Sequence, residues 1–231
     1  MLESDGVPVG VLLSISSRWG PDNGARCNIS SWYAAPEFRA YAPLLVSRAA
    51  RDRSATYINV SPAVHTIPII SAQGFRRFNS GVFVSPVSVM AERDGARLAW
   101  LPRQWAEIDV LPVSAMQLLT DHYQFGCLCL WLQEESKGLP FIFRQRFVTP
   151  ARIPCAQLIY CPALEDLERH AGRIGRFLAI RGMPFLMVPT DRPLRRIHGR
   201  LFPEKQPMYL RGPQSGRSSD LAYTEAAIFG L

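Results

Sequence analysis

Three side chains and one turn in this chain have the makings of a reactive site. His65 carries an imidazole, the group whose charge changes near neutral pH; it also fits an ordinary helix-surface histidine. Ser61 offers a hydroxyl to a substrate, and in Ser61-Pro62 it equally suits the N-cap of a helix with proline at its first position. Glu225, close to Tyr223, is a general base if the tail folds over a cleft and an exposed terminal carboxylate otherwise. The turn is Arg39-Ala40-Tyr41-Ala42-Pro43-Leu44, which opens a helix just after a strand, where main-chain N–H groups can meet a pyrophosphate.

These residues need elements to hold them. Val7–Ser16 and Cys27–Tyr33 are apolar runs punctuated by Gly20-Pro21-Asp22-Asn23-Gly24, which predicts antiparallel neighbours. Trp32 and Tyr33 alternate faces of the second strand, so one of them belongs to the core. Leu44, Leu45, Ala49 and Ala50 recur at helical spacing up to Arg53, with Pro43 tolerated in the first turn. A strand at Thr56–Val60 and a short helix from Ser61 to Gly74 follow. Phe75–Val84, Val87–Met90 and Arg97–Trp105 read as strands, Asp94-Gly95 as a turn and Val113–Tyr123 as a helix.

The second half repeats this order. A hairpin (Cys127–Gln133, Leu139–Val148) turns at Glu134–Gly138, and a strand (Ile153–Cys161), a long amphipathic helix (Leu164–Arg181) and a strand (Met183–Val188) follow. The offset is about 128 residues, which sets Glu37 on Glu165 and Val60 on Val188. The tail is rich in Pro, Arg and Gly up to Ser219, and Asp220–Phe229 reads as a strand or short helix docked on the body.

Composition narrows the classes. With 231 residues, 48% hydrophobic and 19% charged, the chain suits a soluble globular protein with a sizeable core. No apolar run nears the ~20 residues of a membrane span, and Met1-Leu-Glu-Ser-Asp-Gly does not begin a signal peptide. A cytoplasmic protein without membrane contact is expected. The five cysteines show no C-x-x-C and no nearby histidine, which predicts buried thiols and no metal. The net charge of +7 is carried by arginine, Lys137 and Lys205 being the only lysines. Arg192, Arg195, Arg196, His198 and Arg200 form the densest cluster, but no aromatics interleave it, so nucleic acid is not the expected partner. No G-x-S-x-G elbow or Walker loop is present.

Strand, turn, helix, strand, helix and Gly-Phe resembles the acyl-CoA-binding half of the GNAT acyltransferase superfamily. The carrying residues are Pro36-Glu37-Phe38-Arg39, close to the family's Pro-Glu-Tyr-Arg, together with Cys27-Asn28, Trp32, Ser61-Pro62, Gly74-Phe75 and Tyr223-Thr224-Glu225. The resemblance is good over residues 7–85 and looser over 127–231. It implies an α/β (α+β) fold: a mixed, mostly antiparallel twisted sheet with helices on both faces, as a tandem repeat of the half-motif. The expected halves are 1–95, lacking the usual front strand and two helices, and 96–231, degenerate and carrying the arginine-rich tail. An exposed strand at that front would invite a second copy to pair, a homodimer.

The implied function is acyl transfer from acetyl-CoA or a longer acyl-CoA to a small-molecule or peptide amine. Trp32, Tyr33 and Ala34 would bind the cofactor and, through main-chain N–H groups, polarise its carbonyl. Arg39, Ala40, Tyr41, Ala42 and Leu44 would hold the pyrophosphate, and His65 or Glu225 would take the amine's proton, with Ser61 nearby. The chain departs from the family at Ala42 and Leu44, where glycines are usual, and at Ile70, where a tyrosine commonly protonates the CoA thiolate. The alternatives are a non-catalytic GNAT-like binding or assembly module and an anion- or nucleic-acid-binding protein using the tail.

Overall fold

A computed structural model describes residues 1–18, 24–90, 96–104, 108, 111–134, 137–148 and 152–230. The expected turns at 20–23, 94–95 and 135–136, and Trp105, lie outside them. The chain divides into two compact units. The first comprises Met1–Asn79, Pro207–Gly216 and Tyr223–Glu225; the second comprises Ser80–Gln206, Arg217–Ala222 and the chain from Ala226 on. This differs from the expected 1–95 and 96–231, because the strand at Gly81–Pro86 joins the second unit's sheet and part of the tail returns to the first.

In the first unit, β1 (Leu2–Ser4), β2 (Val7–Arg18) and β3 (Ala25–Ala34) run antiparallel. A 3-10 helix at Pro36–Tyr41 passes directly into α1 (Ala42–Ala49), and β4 (Thr56–Asn59) returns parallel to β3. A 3-10 turn at Val64–Thr66, α2 (Ile67–Ala72) and the two-residue β5 (Arg76–Arg77) follow. Gly74 ends α2 at φ +84°, a conformation open to glycine, and its N–H reaches the Ser71 carbonyl. Ile29, Val46, Ala50, Tyr57, Ile70 and Phe75 form the core, with Trp32 packed against it. Sequence alternation therefore resolves as Trp32 inward and Tyr33, 61% exposed, outward.

In the second unit, β6 (Gly81–Pro86), β7 (Arg97–Trp100), α3 (Val113–Gln124), β8 (Leu128–Glu134), β9 (Lys137–Val148) and β10 (Ile153–Tyr160) come first. Then come α4 (Leu164–Arg169), α5 (Ala171–Ile180), β11 (Phe185–Thr190) and β12 (Arg200–Pro203). Phe141, Phe143, Leu158 and Leu186 meet Leu167, Ile174 and Leu178 of α4 and α5 in the larger core, each such side chain contributing about 1.5–3 kcal/mol. α3 contacts β8 and β9 with Leu118, Leu119 and His122 buried outside that core, so helices cover both faces. Trp131 lies across Gly138 so closely that any Cβ there would overlap the indole.

The two sheets share a five-strand run. β1-β2-β3-β4-β13, where β13 is Tyr209–Arg211, matches β8-β9-β10-β11-β6 in order and in direction at each step. Both parallel pairs are three residues long: Arg26–Asn28 with Thr56–Ile58, and Cys155–Gln157 with Phe185–Met187. The register sets the repeat at 129 residues in both strands, so the identities read at 128 are one residue out of step.

Other expectations are corrected. The helix expected to Arg53 stops at Ala49, with a backbone change at Ala50. The long helix at 164–181 is two, broken at His170 (φ −97°, ψ 12°), which is fully buried. Phe75–Val84 is two strands, and Val87–Val89 is a 3-10 turn whose Val87 N–H bonds Pro184. No helix among the described residues is long and apolar enough to cross a membrane.

Candidate active site

The site lies where β3 and β4 part. β4 accompanies β3 only to Asn28, while β3 runs on to Ala34. At that point the tail enters. Tyr223 adopts φ +56°, a costly turn for a bulky residue, and Glu225 follows with 1% of its surface exposed. The Glu225 N–H donates to Asn28 Oδ1 at 2.7 Å, and Asn28 Nδ2 donates to the Ile58 carbonyl at 3.4 Å. Asn28, itself 1% exposed, thus ties the tail to both parallel strands at their last paired residue.

The Glu225 carboxylate is held by two hydroxyls. Ser61 Oγ donates to Oε1 at 2.6 Å, and Ser30 Oγ donates to Oε2. Ser61 is itself placed by its N–H, which reaches Asn59 Oδ1 at 3.3 Å. An ionised carboxyl removed from water needs such partners. Ser61 is exposed whereas Glu225 is not, so the hydroxyl stands between the carboxylate and solvent.

The predicted residues sort unevenly. Ser61 and Glu225 come together. Glu225 is buried rather than an exposed carboxylate, and Ser61 caps no helix, because the next helical turn begins at Val64 with Ala63 before it. His65 sits exposed on that turn. Asn28, a motif residue in the sequence, and Ser30 are the polar partners that sequence reasoning misses; two polar side chains two apart on one face of a core strand are the signal.

The edge of β3 has a definite hydrogen-bonding phase. Ala35 N–H donates to the Val9 carbonyl, so Tyr33 exchanges bonds with Val11 while the main chains of Trp32 and Ala34 face away from β2. Among the described residues no strand pairs with that edge beyond Asn28. The Ala34 N–H, not Tyr33's, is the donor available there.

The turn differs from the sequence expectation. Arg39, Ala40 and Tyr41 lie inside the 3-10 helix, and the Ala42 N–H is already bonded to the Arg39 carbonyl. The first turn at Pro36 carries Glu37, the wrong charge for a phosphate. Arg39 and Ala40 are exposed, as are Tyr41 and Leu44, and Ala42 is buried. Ile70 is fully buried in the core.

No family model matches the chain, and no curated protein does. Solved structures do. A GCN5-related N-acetyltransferase from Anabaena variabilis aligns over 90% of this chain with a TM-score of 0.56 at 11% identity, and one from Kribbella flavida over 90% with 0.51 at 13%. The chain has the GNAT fold. A glucosamine N-acetyltransferase region of a fungal multi-domain β-N-acetylglucosaminidase aligns over 89% with 0.56 at 10%. This chain covers 61%, 58% and 32% of those three chains, respectively. Within the GNAT fold the parted parallel pair is β3 and β4, and the second unit repeats the strand order around β10 and β11.

Among the described residues no group of three or more His, Cys, Asp or Glu is arranged to hold a metal. Burial pushes the Cys127 thiol up to about 11, and Cys129 and Cys161 also upward, so these are not ready nucleophiles.

Proposed function

We propose that the protein transfers an acyl group from acyl-CoA to an amine at the parting of β3 and β4, with Glu225 as the base. The observation that carries this reading is the buried Glu225 carboxylate, held by Ser61 and Ser30 beside an unpaired strand edge. The pantetheine arm pairs with the free edge of β3 past Asn28, as an added strand would. The thioester carbonyl then lies near the Ala34 N–H, which stabilises the oxygen as it gains charge.

The amine nitrogen attacks the carbonyl carbon and gives its proton to Ser61 Oγ, whose own proton moves to Glu225. The carbon–sulfur bond breaks, the thiolate leaves and takes a proton from water, and Glu225 returns its proton to solvent. Ser61 thereby explains how a buried carboxylate serves a substrate it does not touch. His65 has no such partner arrangement in the described structure, and Glu225 is the better supported base. Arg39, the basic residue in the last turn of the Pro36–Tyr41 segment, is the cation this reading assigns to the pyrophosphate.

The 3-10 segment at Pro36–Tyr41 favours a second reading, a GNAT-like module that binds a partner without turnover, because it offers no open phosphate turn. Calorimetric titration with acetyl-CoA and decanoyl-CoA, followed by a free-thiol assay across an amine panel, separates them. Binding with turnover supports the enzyme; binding without turnover supports the module; no heat with either CoA ester removes the cofactor from both.

A further inference from the structure

The second unit contains a cavity of about 420 Å³ unrelated to the proposed acyl-transfer site. Its floor is one face of the sheet. Met187 lies opposite Val84 and Phe185 opposite Cys155, so these four share a face, while the alternate residues Phe83, Leu186 and Ala156 enter the core on the other. A strand apolar in both phases is a strand meant to be covered on both faces. Here the floor is recessed, with Val82 2% and Cys155 1% exposed, while the walls Val148, Ile153 and Phe202 stay open to solvent at 37–43%. The volume and lining are those of small-molecule sites, mostly apolar with a few polar groups at the mouth.

The mouth is cationic. Lys205, one of two lysines in the chain, lines it beside Gln206, and no Asp or Glu among the described residues does. The residues on either side of Lys205 are both left-handed, Glu204 at φ +63° and Gln206 at φ +48°, an uncommon conformation for side-chain-bearing residues. The Glu204 N–H pins this turn to the Ser80 carbonyl at 3.0 Å. Next to the cavity the Arg200 guanidinium lies 5.2 Å from the Phe202 ring, adding positive charge to the same wall.

The geometry points to a binding site for a single-chain aliphatic anion of the fatty-acid class, its chain on Val84, Met187 and Phe185 and its carboxylate at Lys205. This does not rest on the acyl-transfer reading, since every residue invoked lies in the second unit. Calorimetric titration of the full chain with dodecanoate, below its micelle concentration, should saturate at one equivalent, and butanoate should give no heat. Lys205→Glu should weaken dodecanoate about fivefold and favour dodecyltrimethylammonium instead. Val84→Trp should abolish binding with an unchanged circular-dichroism spectrum; should that variant unfold, Lys205→Glu decides alone. Absence of saturable dodecanoate binding, butanoate binding as tight as dodecanoate, or indifference of the folded variants would overturn the assignment. Glu225→Gln should leave dodecanoate binding unchanged.

Discussion

The parallel pairs β3/β4 and β10/β11 begin alike and end differently. Each pairs over three residues, after a crossover through helix, with a buried amide, Asn28 or Gln157, at the last paired position of the leading strand. Beyond it, β10 is closed by main chain. The Leu221 N–H reaches the Ile159 carbonyl at 2.7 Å, the Cys161 N–H reaches the Ser219 carbonyl at 3.0 Å, and Tyr160 bridges to Asp220. Arg217 locks this closure, bonding both Asp220 and the Pro162 carbonyl. At β3 the tail contributes a carboxylate through Asn28, Ser30 and Ser61, and the main chain at Trp32 and Ala34 keeps an open edge. The helical crossovers differ as well. In the second unit Arg192 bridges Glu165 and Glu168 at 2.6 and 2.7 Å, so a cation there is already paired. One copy of the motif is sealed by main chain, and the other keeps a strand edge that no described strand pairs with beyond Asn28.

The largest effect should come from the carboxylate. Glu225→Gln preserves size and most hydrogen bonds but cannot accept the proton, so acyl-transfer turnover should fall about 10²–10⁴-fold with little change in KM. A free-thiol assay reads this directly, and an unchanged rate would remove the chemical contrast between the two pairs. Leu221→Pro tests the sealed copy. It deletes the N–H that satisfies the buried Ile159 carbonyl and a side chain only 1% exposed, at a cost of about 3–5 kcal/mol in urea unfolding. A loss under 1 kcal/mol would mean the closure is incidental.

Much of this contrast is legible in the sequence. Alternation and turn residues located β2, β3, β8, β9 and β10, and the order of elements gave the repeat. The tail strands β12 and β13 were not legible, because four and three residues in a Pro- and Arg-rich segment show no period. The break at His170 was hidden by an apolar periodicity that continues across it into α5. The site was half visible. Ser61 and Glu225 are conspicuous residues, but their meeting depends on a left-handed Tyr223 that no local pattern announces. Asn28 is legible only as a motif residue and Ser30 not at all, since burial of a polar side chain becomes apparent only when its partner is in place.

The open edge can be tested at a single N–H. Ala34→Pro removes a donor that β2 does not use, and proline is tolerated where a strand's N–H faces no partner. Because Ala34 is buried, the larger ring costs about 1–3 kcal/mol in urea unfolding, while turnover of the folded variant drops about 10²-fold from loss of the oxyanion donor. Unchanged turnover in the folded variant would show that the Ala34 N–H is not the oxyanion donor.

The smallest effect concerns proton linkage in the sealed unit. His122 is fully buried in α3, its Nδ1 2.8 Å from the Leu118 carbonyl. Burial holds its pKa below the ordinary 6.5, outweighing the Leu118 carbonyl and the Asp121 and Asp220 charges, which pull the other way. The unfolded chain therefore binds more protons at this site in mild acid, so its contribution to stability is complete above pH 6.5 and diminishes as pH falls below it. Urea midpoints should fall between pH 7.5 and 5.5, and His122→Gln should be less stable at pH 7.5 but show a shallower slope. An equal slope in both proteins would assign the acid sensitivity to other groups and leave His122 as a packing residue alone.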